Sequence, residues 1–600
     1  MSRALAVPVA VAAVLAAPVA ASAAVVEALP PAKPPRVQEV APGISYERIA
    51  RGDGQVVHVV RAPSSPRVSM APVLAGGSLL RRGSLTGAIA SRAHLGAIAG
   101  INGDFFNYGT NDPSGVLLVG GELLHEPEAS RSALVMLPGG AIDAVGLALQ
   151  GRMQGTDPAT DAVTPPRTFA GINRPAKRGT ETILYTPGYG SLTTPAGGSR
   201  YEVRVRLDQA GPLIPEVPRT GTVVGTKSGG GITIGAGHWV LTGVGAAGPT
   251  LVSEYPLGRK ITISAGVAGL PPGATDAIGG GPALVRDGVA IPDAGEGFTG
   301  AQTGSRTSRS AVGQRADGTT MFVTVEGPSQ GRPGMTAADQ AALMQSLGAR
   351  TAVAMDAGGS AQLAVRDELV IPWSGARSLS DVMVMSYRGA TIEPLPFRIS
   401  PNADRVDDAP TTVIRSPVAG TTAVKVIRRS GRPSKQLWRG RLAASSARVN
   451  VDPRRLRLPD GVYDVRVRQL PDDGSGVTEQ SRRVIIDRTL GSLNARQSVV
   501  RVGNRRQPRL QVTFRLSRPA RATVRIRTDD GAPIATIMSG RPLRAGRQTV
   551  NWNRKVRGRV VSGDVEVTVE ARGPLGTSGL VREVSLKKPP RPAPRPRPRP

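Results

Sequence analysis

Cysteine is absent from the sequence, which excludes disulfides, thiolate catalysis and Cys-ligated zinc or iron–sulfur sites. Histidine is scarce: His58, His94, His125 and His238 form no His-x-x-x-His pair, so no zinc-hydrolase signature is present and no metal ligand set is expected. Aromatic residues make up only 3% of the chain, whereas 74 Gly and 52 Pro favour a turn-rich, β-heavy architecture. Beyond the N-terminus, no apolar run approaches the length of a membrane span.

The N-terminus itself reads as an export signal. Arg3 is followed by the Ala/Val/Leu run from Ala4 to Ala20, and Ala21-Ser22-Ala23 fits a small-x-small cleavage site. Residues 1–23 are therefore expected to be a signal peptide, with an uncleaved anchor as the alternative, and the chain to be secreted or envelope-associated. Pro30, Pro31, Pro34 and Pro35 mark residues 24–42 as an extended linker. The chain's 600 residues predict three or more domains. Charge divides them: from Thr411 to Pro600, 42 Lys and Arg stand against 13 Asp and Glu, +29 of the total +31. Such a basic third attracts polyanions, for an exported chain anionic cell-envelope polymers first. Solvated arginine-rich strand faces would give the same count, and no specific nucleic-acid motif accompanies it.

Residues 43–400 contain three dense polar segments. In the first, Ser84 is placed to cap a short helix ending at Gly96, and a strand from Ala97 to Ile101 runs into Asn102-Gly103-Asp104-Phe105-Phe106. The second is Asp276 to Gly288, whose Gly279-Gly280-Gly281-Pro282 lacks the Gly-Lys-Ser/Thr of a P-loop. Close behind it, Arg306 and Arg309 are spaced to converge on one phosphate, or to lie solvated on the surface. In the third, Thr336 and Asp339 form a capping box and Gly348 stops the helix. A short strand then ends at Asp356, followed by Ala357-Gly358-Gly359-Ser360. Glu326 ends the strand before that helix, so a crossover predicts that Glu326 and Asp356 share one sheet end. The same acid-glycine turns also occur as ordinary loop chemistry.

Taken together, these segments resemble the phosphodiester glycosidase family. The resemblance rests on Asn102-Gly103-Asp104-Phe105-Phe106, Gly279 to Pro282, Arg309 with Arg306, Asp356 to Ser360, Arg377-Ser-Leu-Ser-Asp381, and Gly171-Ile172-Asn173-Arg174. It covers roughly residues 43–390, and Ala357 departs from the glycine common there. The resemblance implies hydrolysis of a sugar-1-phosphodiester at the glycosidic bond. It implies Asp104, Glu326 and Asp356 as catalytic carboxylates, and Arg309, with Arg306 and Arg174, as phosphate ligands. Asn102, Gly103, Gly280, Gly281, Gly358, Gly359 and Ser360 would complete the substrate cradle. No cofactor is expected, although such carboxylates could hold a divalent cation. The partner is a carbohydrate phosphate.

Past residue 400 the pattern changes to alternating strands. Leu458 to Val467, closing on Val484 to Thr489, resembles the last strands of a bacterial immunoglobulin-like domain over 411–490. A second copy over 498–588, with Trp552, resembles those of flagellar hook-capping proteins, and Arg/Pro residues 589–600 read as a disordered tail. The expected fold class is α+β: a mixed-sheet catalytic domain with few helices, followed by two immunoglobulin-like β-sandwich domains. The expected function is a secreted hydrolase of sugar-1-phosphodiesters in an envelope or extracellular polysaccharide. The alternative is a non-catalytic protein that binds anionic phosphorylated glycans or wall polymer.

Overall fold

The computed structural model of the chain describes residues 26–28, 37–291, 295–371, 376–502, 505–528 and 531–587. The expected signal peptide and the Arg/Pro tail lie outside the described residues. Val37–Ala41 is a strand paired with Ile44–Ala50, so the linker expected through residue 42 stops short of Val37.

The chain is mostly β, with 53% strand and 8% helix, less helix than an α+β class implies. Among the described residues the longest helix, Ala337–Ser346, has ten residues, and pairing is antiparallel in nearly every sheet. Short runs rich in Val, Ile and Thr, broken by glycine turns, are too brief to bury a helical face but long enough to pair as strands.

One eight-stranded sheet organises the first part. Its order is Val37–Ala41, Ile44–Ala50, Val56–Ala62, Thr320–Val325, Arg309–Arg315, Ala349–Met355, Ala283–Arg286 and Val289–Ala290. Every residue of Thr320–Val325 is buried because both faces of the sheet are covered. Phe322, Val312, Val353 and Met355 enter a core shared with a five-stranded sheet, through Ile101, Met383 and Met385, and with another, through Leu117, Leu134 and Ile278. Met321, Val323 and Val325, one residue out of phase, pack with Ala341 and Met344 of the helix. That helix starts as its sequence predicts. Thr336 Oγ1 accepts from the Asp339 N–H (3.1 Å), Asp339 Oδ2 accepts from the Thr336 N–H (3.2 Å), and Gly348 (φ +85°) ends the turn.

Ala349–Met355 then returns parallel to Thr320–Val325, with Arg309–Arg315 between them and antiparallel to both. The Met355 end meets two other sheets at one corner. The Asp356 N–H donates to Gly103 O (3.0 Å), the Gly103 N–H to Asp381 O (3.1 Å), and the Gly281 N–H to Ala354 O (2.9 Å). Ala97–Asn102 and Asp381–Tyr387 are neighbours in the second sheet; Asp276–Gly279 belongs to the third.

The basic part is built from paired sheets. Ile392, Ile414 and Val449 on one side share a core with Val424, Tyr463, Val465 and Ile486 on the other. Thr391–Ile392 pairs with Thr411–Arg415, and Arg398–Ile399 with Thr478–Ile486, so this unit begins ahead of residue 400. The polar residues 401–410 are pinned to the next unit: Asn402 Nδ2 donates to Leu490 O (2.7 Å) and Asp404 Oδ2 accepts from the Ser492 N–H (2.7 Å). A further core joins Leu510, Val512 and Trp552 to Val524, Val567 and Val569.

Phe322→Ala should remove a ring at the centre of the shared core and destabilise the first part by about 3–5 kcal/mol. Thermal unfolding followed by near-ultraviolet circular dichroism reads this directly; an unshifted first transition would show that the sheets do not depend on that contact.

Candidate active site

The corner where the three sheets end is lined by carboxylates that glycines allow to come close. At the end of Ala97–Asn102, Asn102 faces inward as a fastener. Its Nδ2 donates to Asp356 O (2.8 Å) and its Oδ1 accepts from the Gln362 N–H (3.0 Å). Gly103 must lack a side chain, since a Cβ there would stand 2.0 Å from Asp381 Oδ1. The next residue, Asp104, donates its N–H to that same Oδ1 (2.7 Å), and its own Oδ2 accepts the Gly115 N–H (2.6 Å). Gly279 leaves room for it, because a Cβ would lie 2.3 Å from Asp104 Oδ2. His125, fully buried, fixes the Gly115 turn through its Nδ1, 2.8 Å from Gly115 O.

Asp104 and Asp381 are 3% and 1% exposed, and one oxygen of each, Asp104 Oδ1 and Asp381 Oδ2, is buried without a hydrogen-bond partner. Burial raises both carboxyls far above the ordinary 3.8; the Gly115 N–H and Arg131 oppose this for Asp104, and the charge of Asp104 raises Asp381 further. Two such groups side by side hold one proton between them near neutrality. Asp356 is more open. Burial raises its carboxyl to about 6, against the Ser360 hydroxyl, the Ala357 N–H (2.8 Å), Arg377 and Arg131. At pH 7 it is mostly ionised.

Two guanidiniums flank Asp356. Arg131 lies over the rings of Phe105 (5.0 Å to the centroid) and Phe298 (4.7 Å), with Nε and Nη1 buried and unpartnered. Arg377 donates from Nη1 to Ser360 Oγ (3.3 Å) and passes close over Gly359, where a Cβ would meet its Nη2 at 2.7 Å. Both guanidiniums are half-buried and neither forms an ion pair with a carboxylate among the described residues, which leaves N–H donors for an anion supplied from outside. Among the described residues no group of three His, Asp or Glu side chains is arranged to ligate a metal ion.

Of the residues singled out in the sequence, Asn102, Gly103, Asp104, Asp356, Gly359 and Ser360 meet here, and others do not. Glu326 ends its strand on the same side of the sheet, but Arg309–Arg315 intervenes and its carboxylate is committed: His58 Nε2 lies at 2.9 Å and Arg332 Nε at 3.1 Å. Arg309 spends Nε on Met335 O (2.9 Å) and Nη2 on Gln302 O (2.9 Å), Thr303 O (3.2 Å) and Ser305 O (2.9 Å), closing the helix Gly300–Gly304. Arg306 pairs with Asp339 (2.8 Å) on the surface, so the two arginines do not converge on a phosphate. Arg174 is buried between Glu126 and Glu181. Gly281 and Gly358 give their N–H groups to Ala354 O and Ser308 O (2.8 Å), and a Cβ on Gly280 would touch Ala354 O at 2.6 Å, so these glycines serve close backbone packing.

Three residues of the site carried no role in the sequence reading. Asp381 and Arg377 stood inside a recognised motif as Arg377-Ser-Leu-Ser-Asp381, and that was their signal. Arg131 follows a polar turn and had none.

A carboxyl whose pKa is raised on folding favours the folded state below its unfolded value and opposes it as pH climbs through the folded one. Asp381→Asn keeps an acceptor for the Asp104 N–H while removing one of the two charges. The fall in melting temperature of the first part between pH 5 and pH 8 should therefore shrink; an unaltered pH dependence would refute the shared proton.

Over 106 residues the chain is 36% identical to the SPbeta prophage-derived uncharacterized protein YomE of Bacillus subtilis, a match covering 17% of this chain and 16% of that relative. Among solved structures, a hypothetical protein from Synechocystis is similar over 61% of this chain and 68% of its own, at 20% identity and a TM-score of 0.49. The catalytic domain of zebrafish N-acetylglucosamine-1-phosphodiester alpha-N-acetylglucosaminidase, auto-inhibited by its pro-peptide, is similar over 61% of this chain and 88% of its own, at 13% identity and a TM-score of 0.30. Residues 209–385, which include Gly279, Asp356, Arg377 and Asp381, match the family model described as phosphodiester glycosidase, and the chain therefore carries a phosphodiester glycosidase domain.

Proposed function

We propose that the protein hydrolyses the glycosidic bond of a sugar-1-phosphodiester at the corner bounded by Asp104, Asp356, Asp381, Arg131 and Arg377. The observation that carries this reading is Arg131, a cation with two buried, unpartnered nitrogens beside the Asp104 and Asp356 carboxylates. A phosphodiester supplies the missing anion.

The chemistry follows from that pose. The bond between the anomeric carbon and the phosphate oxygen breaks with its electron pair going to the phosphate, a good leaving group that needs little proton help. Arg131 and Arg377 meet the charge that grows there. Asp356, ionised at neutral pH, faces the positive centre and takes the proton of the attacking water. The proton held by the buried Asp104 and Asp381 pair keeps a second full negative charge from standing beside Asp356.

Export through residues 1–23 would bring this activity to envelope or extracellular polysaccharide. The paired sheets beyond Thr391 are taken as the two immunoglobulin-like modules; Tyr463, whose hydroxyl donates to Pro459 O (2.8 Å) four residues upstream, supports this, as a tyrosine so placed is a mark of that fold. Their net positive charge suits them to hold the enzyme against anionic polymer.

Asp356→Asn should lower turnover of a glycosyl-1-phosphodiester by about 10²–10⁴-fold, with the free sugar and phosphate monoester as the lost products. In the wild type, kcat/KM should rise through the Asp356 pKa of about 6 and fall again where the buried pair loses its proton at higher pH. Turnover of the Asn variant at the wild-type rate would remove Asp356 from the reaction. Retention of the full chain on poly(glycerol phosphate) should weaken steeply as salt rises from 50 to 500 mM, where charges become screened beyond roughly 4–14 Å. Retention indifferent to salt would exclude an electrostatic anchor.

A further inference from the structure

The cationic lining of the corner extends past the two arginines that a single phosphodiester requires. Tyr108 is 63% exposed, an unusual position for a large ring, and is held between two guanidiniums: Arg377 Cζ lies 5.3 Å from its centroid and Arg82 Cζ 5.9 Å. Arg82 also stands 5.3 Å from the centroid of Phe106, whose ring packs on Tyr108 at 5.0 Å. The loop Asp104 to Tyr108 thus presents a row of rings, Phe105 under Arg131 at one end, Phe106 and Tyr108 under Arg82 at the other, with Arg377 between. Aromatic faces hold guanidiniums in place without neutralising them, leaving their N–H forks free for an anion.

Arg82 has no use in the scissile step. It is solvent-exposed and flanks Tyr108 together with Arg377, the guanidinium nearer Asp356, and among the described residues it makes no ion pair with a carboxylate. An exposed ring carrying an unpaired cation on its face offers a surface for a ligand that continues outward from the cleaved bond.

We propose that Arg82 and Tyr108 form a second anion subsite on the aglycone side, so that the substrate is a glycan phosphodiester carrying a further anionic group one unit beyond the scissile phosphate. This rests on the phosphodiester glycosidase reading of the same corner and narrows its substrate to polyanionic glycans. Arg131 and Arg377 hold the scissile phosphate, Arg82 holds the next charge, and Tyr108 keeps the Arg377 and Arg82 guanidiniums at their spacing. A phosphate of a repeating polymer and a carboxylate of an acidic sugar share this chemistry.

The test uses three glycosyl-1-phosphodiesters with one sugar and three aglycones: glycerol, glycerol bearing a terminal phosphate, and glycerate. The full-length protein should cleave the phosphate-bearing or the carboxylate-bearing compound with a kcat/KM at least tenfold above that of the neutral one, chiefly through KM, and the better of the two identifies the source. In Arg82→Ala that ratio should fall to near one, and Arg82→Lys should restore part of it; Tyr108→Ala should lower it as well. Equal cleavage of all three compounds by the wild type, or a ratio that survives Arg82→Ala, would overturn the subsite while leaving the glycosidase reading intact. Cleavage of none would instead sink the glycosidase reading. Calorimetric binding of the same compounds to Asp356→Asn protein then decides the subsite without turnover, tenfold tighter binding of a two-anion compound supporting it and equal binding overturning it.

Discussion

Two carboxylates, Asp104 and Asp381, are buried against each other with an oxygen of each left unsatisfied, and the rest of the corner exists to tolerate that arrangement. Backbone N–H groups from Asp104 and Gly115 hold one oxygen of each acid, and glycines at 103, 115 and 279 clear the space. Such a pair is unfavourable in a folded chain unless a proton or a ligand completes it. Its cost is met by the strength of the surroundings: three sheets share one apolar core directly beneath, so the corner cannot relax.

The same economy of partners separates structural from functional arginines. Arg174 sits between two glutamates, Arg309 caps a helix through three carbonyls and ties it to Met335 O, and Arg306 pairs with Asp339. Arg131, Arg377 and Arg82 rest on aromatic rings, which position a cation without cancelling it. Charge that the protein leaves uncancelled is what a phosphate can use. Glu326 and His58 illustrate the converse, an acid and a base that satisfy each other and so are closed to substrate.

Much of the local architecture was legible in the residues. The Ser84 cap, the Thr336 and Asp339 capping box, and Asp356 at a strand end all depend on interactions within a few residues, which short-range chemistry specifies. The parallel relation of the strands ending at Val325 and Met355 also follows locally, from the short helix that crosses between them. The few helices expected include Leu85–Ser91 and Ala337–Ser346, whose caps lie within a few residues, whereas the strands show in the sequence only as short apolar runs that do not name their partners.

What the sequence determined by itself, then, was the acids and glycines available, the strand ends that carry Asp104 and Asp356, and the split between a near-neutral part and a basic one. What only the tertiary structure decided was partnership. Arg309 and Glu326 carry the same chemistry in one dimension as Arg131 and Asp381, and nothing in their neighbours along the chain tells them apart. The difference arises between residues hundreds of positions distant, such as Asp104 with Asp381 or Glu326 with His58, because a charged group is functional or structural according to which groups the fold brings within about 3 Å of it.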